Sequence, residues 1–268
     1  MSETLESGPF TVRFDPAPQR SLDEHALQAR QDHNFGNTDR WFQAFRGGHF
    51  GMYARLNGVT ERYAEFHAWS YEPRHPGGWD TPLGELFFNA DSALECFIFG
   101  LNALGHGVGG TGFRSTMSES ELRCVNSRDP IGGEIPGWAD IFPRFSAALN
   151  RGWDEWVQPV VDQHDVGKHR EQTHKGGHLR NDPPTGFWEK VGLSDEKDPR
   201  RLHFIPYAEI KLMPDPKRPR QDGESPAYED MIKLEELIPG FAAFFDELVQ
   251  CALDDVTDTV PLRGSRPG

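Results

Sequence analysis

The segment from His164 to His178, which reads HDVGKHREQTHKGGH, is the densest cluster of residue types that do chemistry in this chain. It holds four of the eleven histidines, together with Asp165, Lys168 and Arg170. Histidine and carboxylate side chains can ligate a metal or move protons. Four residues of this segment are the candidate catalytic residues: His164, Asp165, His169 and Arg170.

The first five residues of the segment, HDVGK, resemble the metal-binding doublet of HD phosphohydrolases. In that family a neighbouring His and Asp ligate a divalent metal that activates water, so the resemblance implies a metal-dependent phosphohydrolase. The family's doublet ends a small apolar helix and needs an upstream histidine on a neighbouring helix. Here Asp162 and Gln163 precede the doublet, and the nearest upstream histidine is His106, in a glycine-rich stretch. We therefore expect no bound metal and no cofactor.

The histidines of the segment could also form a site by themselves. On a continuous helix, a step of five residues rotates a side chain by about 140°, so these histidines point in different directions. They converge only if the chain folds back at Gly176-Gly177. A further interpretation is that the segment is the solvated end of a long helix, where basic side chains interact favourably with the helix dipole.

Residues 164–170 also resemble the hallmark segment of HEPN-domain proteins, in which an arginine and a polar residue are followed a few residues later by a histidine. In this chain His164 replaces that arginine, Asp165 is the polar residue and His169 is the histidine. The resemblance covers residues 37–170. It implies an all-helical bundle that binds or cleaves RNA, other nucleic acid or nucleotides in bacterial defence systems, as an enzyme or as an inactive relative. It also implies a homodimer that packs two copies of residues 164–170 against each other.

A non-enzymatic helical bundle that binds a partner is the remaining alternative. The net charge of −14, from 42 acidic and 28 basic residues, disfavours broad electrostatic binding to nucleic acid or to an anionic membrane. No apolar run approaches the roughly 20 residues of a membrane span. Three isolated cysteines without a CxxC pair indicate reduced thiols, and we expect a cytoplasmic protein without membrane association.

Apolar residues recur at helical spacing through most of the chain, which predicts a mainly α protein: one domain over residues 1–268, a bundle of five or six helices with a small two-stranded β element. The central helix is predicted from Pro82 to Leu104, ended by Gly105. Gly47-Gly48 indicates either close helix packing or a kink. The other predicted helices begin at Ser21 and at Asn37 or Thr38, and cover Thr60–Tyr71, Glu119–Val125, Trp138–Val166 and Glu229–Asp255. The predicted strands are Thr11–Phe14, within an arm over residues 1–20, and Leu202–Met213; polar excursions cover 171–200 and 214–228, and a tail covers 258–268.

Overall fold

The computed structural model describes residues 12–32, 40–70, 80–109, 112–168, 175–179, 195, 197, 207–212 and 232–259. These residues are mainly α-helical, as predicted. The helices are α1 (Pro16–Asp32), α2 (Arg40–Ser70), α3 (Asp80–Gly109), α4 (Glu119–Leu122), α5 (Pro136–Ile141), α6 (Pro143–Gly152), α7 (Gln158–Lys168) and α8 (Leu234–Thr259), with a π-helical turn at Trp153–Val157 between α6 and α7.

The described residues form two compact units. Unit 1 is drawn from Met1–Val12, Gly58–Phe88 and Gln158–Gly240, and unit 2 from Arg13–Asn57, Asn89–Val157 and Phe241–Gly268. The long helices α2, α3 and α8 each contribute one segment to each unit.

Helix α1 begins at Pro16 rather than at Ser21, so the predicted start is wrong. The Asp15 carboxylate accepts a hydrogen bond from the Ala17 backbone N–H at 2.9 Å, which is the bond of an N-terminal cap. Pro16 then suits the first helical position, because it has no N–H to satisfy. The predicted strand before it is absent from Val12–Phe14, which have no regular structure, while Thr11 lies outside the described residues.

Helix α2 is one continuous helix where the sequence predicted two. Its buried stripe runs without a break across the predicted gap, because large apolar side chains recur every three or four residues. The start predicted at Asn37 or Thr38 lies outside the described residues. The stripe consists of Met52, Leu56, Val59, Tyr63 and Phe66.

Gly48 is the point at which α2 meets α3. A Cβ added to Gly48 would lie 2.6 Å from the Cys96 carbonyl oxygen and 2.7 Å from the Gly100 nitrogen. Both neighbours are backbone atoms, so only a glycine allows this approach. Of the two interpretations of Gly47-Gly48, close helix packing is therefore confirmed for Gly48, while a Cβ on Gly47 would meet nothing within 4 Å.

Helix α3 continues to Gly109, so its predicted end at Leu104 is wrong. The glycines at its carboxyl end provide space for aromatic rings. An added Cβ would lie 2.3 Å from the Phe113 ring at Gly105 and 2.4 Å from the Trp41 ring at Gly107.

In the middle of α3, the Phe97 ring packs against Phe145 and Phe245 at centroid distances of 5.7 and 5.6 Å, which makes it part of the aromatic core of unit 2.

The helix predicted over Trp138–Val166 is interrupted twice. Phe142 separates α5 from α6, and Pro143 occupies the first turn of α6, where its missing N–H is tolerated. The π-helical turn comes directly before α7, where Pro159 lacks the N–H that a regular helix would donate to the Glu155 carbonyl.

The final helix α8 begins at Leu234, later than the predicted Glu229, and ends at Thr259, past the predicted Asp255. Asp255 nevertheless has a structural role, because its carboxylate accepts hydrogen bonds from the backbone N–H groups of Arg144 and Phe145, at 3.3 and 3.0 Å. It thereby caps the amino end of α6, where Phe142 offers no side-chain cap.

The described strands form one antiparallel sheet in the order β1 (Lys175–Leu179), β2 (Tyr207–Leu212), β3 (Ile232–Lys233). Strand β2 falls within the predicted Leu202–Met213, but it pairs with β1 and β3 rather than with the residues before α1. The sheet therefore has three strands where two were expected. Ile232, predicted to lie on the last helix, belongs to β3.

Candidate functional site

Helix α7 carries the first two candidate residues, His164 and Asp165, and both are half-buried. The helix is anchored by Val160 and Gln163, which are each 1% exposed. A side-chain hydrogen bond from Gln158 to Asp162, at 2.8 Å, joins successive turns on its more exposed side. The candidate residues thus lie on a regular helix that follows directly on a π-helical turn, a feature that is frequent at functional sites.

The His164 ring contacts the Phe88 ring edge to face, with 5.3 Å between centroids. Phe88 lies on the unit 1 segment of α3 and is 39% exposed, so part of its ring is open to a ligand. The two rings form an aromatic surface, and Asp165 directly follows His164 on α7. We call the pair Phe88 and His164 the aromatic pair.

A charged pair lies one turn along α3 from Phe88. The Arg62 guanidinium on α2 contacts Glu85 at 2.8 Å and also pairs with Glu65. Glu85 precedes Phe88 by three residues and therefore lies on the same face of the helix. The ion pair of Arg62 and Glu85 is therefore a neighbour of Phe88 along α3.

The remaining candidate residues, His169 and Arg170, lie outside the described residues, as does His174. The end of the segment is not helical, since Gly176, Gly177 and His178 belong to strand β1, where His178 pairs with Glu209. The interpretation of the whole segment as one helix end is therefore wrong for residues 175–178.

The structure brings no metal-binding cluster together within the residues it describes: no three His, Cys, Asp or Glu side chains among them could hold an ion. The upstream histidine considered for the HD doublet, His106, lies in helix α3 and not in a loop. It belongs to unit 2, and its Nδ1 is buried without a hydrogen bond to any described residue.

A second candidate site was not predicted from the sequence. It is a cleft of about 320 Å³ in unit 2, between α1 and α2. Two guanidinium groups, two carboxylates and two apolar side chains surround it. The cleft is lined by Arg20, Asp23, Glu24, Leu27, Phe42 and Arg46.

A buried histidine lies behind the carboxylate side of this cleft. His49 is 3% exposed, and its Nε2 lies 3.8 Å from the Asp23 Oδ2, with no hydrogen bond to any residue in the described part of the chain. Burial lowers the pKa of His49, and Asp23 opposes this shift while Arg46 adds to it. The Tyr53 ring packs edge-on against His49 at 4.9 Å, and burial followed by the Asp23 charge raises the pKa of Tyr53.

The sequence held one signal for this cleft. On α1 the lining residues recur at three- and four-residue steps, and on α2 Phe42, Arg46, His49 and Tyr53 do the same. Each helix therefore presents a stripe of mixed polar and apolar residues. Such a stripe becomes a site only when a second helix faces it, and spacing within one helix does not predict which helix that is.

Comparisons with protein-family models, with curated proteins and with solved structures found no match to this chain. Among the helices of the described residues, none is long and apolar enough to cross a membrane.

Proposed function

We propose that unit 1 binds a nucleotide at the aromatic pair. The observation that carries this proposal is the exposed Phe88 ring held edge to face by His164. An exposed aromatic ring on a rigid helix is a stacking surface for a base, and base stacking on such a ring contributes about 1–3 kcal/mol.

The polar groups beside the rings suit the other parts of a nucleotide. His164 is a hydrogen-bond donor or acceptor for a base edge or a ribose hydroxyl, depending on its tautomer. Asp165 can accept a hydrogen bond from a hydroxyl, and the Arg62 guanidinium of the same unit, which contacts Glu65 and Glu85, can exchange one of these carboxylates for a phosphate. The HEPN resemblance of residues 164–170 likewise implies binding of a nucleotide or nucleic acid, although it assigns none of these individual roles.

The charge of the chain favours a free nucleotide or a short RNA over long nucleic acid. A net charge of −14 repels a polyanion, and long RNA is held mainly by phosphate contacts with Lys and Arg. A single nucleotide depends more on stacking and less on such a field.

The test is a calorimetric titration of the full chain with AMP, ATP and a short single-stranded RNA. We expect binding of a mononucleotide, and Phe88→Ala should weaken it by about tenfold or more. Phe50→Ala is the matched control, because Phe50 is also an exposed phenylalanine, at 55%, but lies on the unit 2 segment of α2. No nucleotide binding to the unmodified chain, or equal loss in both variants, would contradict the proposal.

Cleavage and assembly are separate readouts of the same proposal. His164→Ala should weaken nucleotide binding. It should change the free energy of unfolding by no more than about 0.5 kcal/mol. Incubation with RNA tests for cleavage, and light scattering tests for the homodimer that the HEPN resemblance implies. If the chain is a monomer and still binds nucleotide, the binding proposal stands and the expected homodimer is wrong.

A further inference from the structure

We propose that the cleft between α1 and α2 binds a free α-amino acid with an apolar side chain. Such a ligand carries an ammonium group, a carboxylate and an apolar group within a few ångströms of one another. The cleft offers a partner for each of these three groups. Its volume of about 320 Å³ lies at the lower end of the range for small-molecule sites and leaves room for a ligand of that size.

The charged residues of the cleft are arranged for an external partner. Within the described residues, Arg20 and Glu24 form no hydrogen bond and no ion pair, and Arg46 is held by the face of the Phe50 ring at 4.8 Å. Charges of opposite sign that lie around one cleft without pairing with each other leave both signs open to a ligand. A ligand carboxylate is expected at the guanidinium side, because that pairing allows two parallel hydrogen bonds.

The signs of the charges exclude simpler ligands. A phosphate or another pure anion would approach Arg20 and Arg46 but be repelled by Asp23 and Glu24. A simple cation would be attracted by Asp23 and Glu24 but repelled by Arg20 and Arg46. Because two positive and two negative groups line the same space, a zwitterion is the ligand that satisfies both.

The buried histidine supplies a second, independent observation. His49 is 3% exposed, its Nε2 has no hydrogen bond to a described residue, and that atom faces Asp23 at 3.8 Å. A buried polar atom without a partner costs free energy, which is expected where a bound ligand changes the position of its neighbour. Asp23 is 41% exposed, so its carboxylate has room to move. When one of its oxygens binds a ligand ammonium group, the other can accept a hydrogen bond from His49.

The apolar part of the cleft selects the side chain of the ligand. Leu27 is 45% exposed and Phe42 is 8% exposed, so one apolar group projects toward the solvent while the other forms a floor. The Arg30 guanidinium also contacts the Phe42 ring, at 4.7 Å from its centroid. Leucine, methionine or phenylalanine would bury apolar surface here, and aspartate or lysine would not.

The experiment is an NMR or calorimetric titration of the full chain with leucine, N-acetyl-leucine and leucine amide. N-acetyl-leucine lacks the ammonium charge and leucine amide lacks the carboxylate. We expect leucine to bind, and each analogue to bind at least about tenfold more weakly, which is the effect of losing one charge-assisted hydrogen bond. Binding of the two analogues as well as leucine would overturn the proposal, and so would no binding of leucine, methionine or phenylalanine.

The variants that accompany this titration locate the ligand. Asp23→Asn and Arg46→Gln should each reduce leucine binding about tenfold. Gln43→Ala is the matched control, because Gln43 is exposed on α2 but does not line the cleft. Melting temperatures of all three separate lost binding from lost folding. Leucine binding that survives Asp23→Asn and Arg46→Gln would place the ligand elsewhere and overturn the proposal.

Discussion

The end of α7 in unit 1 and the cleft between α1 and α2 in unit 2 contain the same kinds of residue in different arrangements. Around His164 the functional types are consecutive in the sequence, and the described part of them divides between a helix and a strand. Around Asp23 they come from two helices and line one open cleft. Functional residues that are close in sequence therefore need not lie together in space. Side chains from two elements meet only where the fold holds those elements against each other.

The framework of unit 2 depends most on its aromatic core. Phe97→Ala should lower the free energy of unfolding by about 3–5 kcal/mol, because it removes a ring that is 3% exposed and leaves a cavity between Phe145 and Phe245. Phe50→Ala, at an exposed site on α2, should cost far less. Urea unfolding of both variants measures the difference, and equal losses would contradict the described core.

The close approach of α2 to α3 provides the next largest effect. Gly48→Ala should destabilise by about 1–3 kcal/mol, because its Cβ would meet the backbone of Cys96 and Gly100. Gly47→Ala should stabilise by up to about 1 kcal/mol, because it removes a flexible glycine from a helix and meets no atom within 4 Å. The melting temperatures of the two variants should therefore shift in opposite directions. Shifts in the same direction would contradict the close contact between α2 and α3 at Gly48.

The cap that α8 provides for α6 is expected to contribute about 0.5–2 kcal/mol. Asp255→Ala removes the acceptor for Arg144 and Phe145, while Asp258→Ala removes only an exposed ion pair with Arg144, at 2.7 Å. Burial raises the pKa of Asp255, so the neutral Asp255→Asn should retain more stability than Asp255→Ala. Chemical denaturation of the three variants gives the order, and an Asp258→Ala loss as large as that of Asp255→Ala would contradict the cap.

The smallest expected effect is a pH dependence from His49. Its pKa is lowered below the ordinary 6.5, mainly by burial, so the unfolded chain takes up a proton before the folded chain does as the pH falls. Stability from this group is therefore present above pH 6.5 and lost as the pH falls below it. His49→Gln should show a smaller loss of stability between pH 7.5 and pH 5.5 than the unmodified chain, as measured by urea midpoints. An equal loss would show that His49 does not titrate in this way.

Helical periodicity was sufficient to predict the mainly α fold and the burial of α3, because apolar residues at three- and four-residue steps have one favourable solution. It failed at the glycines near the end of α3. Gly105 and Gly107 indicated a helix end, yet they provide room for the Phe113 and Trp41 rings. A glycine that ends a helix and a glycine that admits a ring look alike until the partner is known.

The candidate site was less predictable for the same reason. The sequence indicated His164 and Asp165 as a site but gave no reason to connect them with Phe88, which lies on another helix. The cleft went unnoticed because its residues come from α1 and α2, and neither helix contains an unusual motif. The predictions for His169 and Arg170 stay predictions, since both lie outside the described residues.

The most direct test of two separate sites is a crossed titration. AMP and leucine are each titrated into the unmodified chain, Phe88→Ala and Arg46→Gln, with folding checked by thermal melts. We expect Phe88→Ala to weaken AMP binding about tenfold and to leave leucine binding unchanged, and Arg46→Gln to do the reverse. Loss of both ligands in either folded variant, or no binding of either ligand to the unmodified chain, would contradict two separate sites.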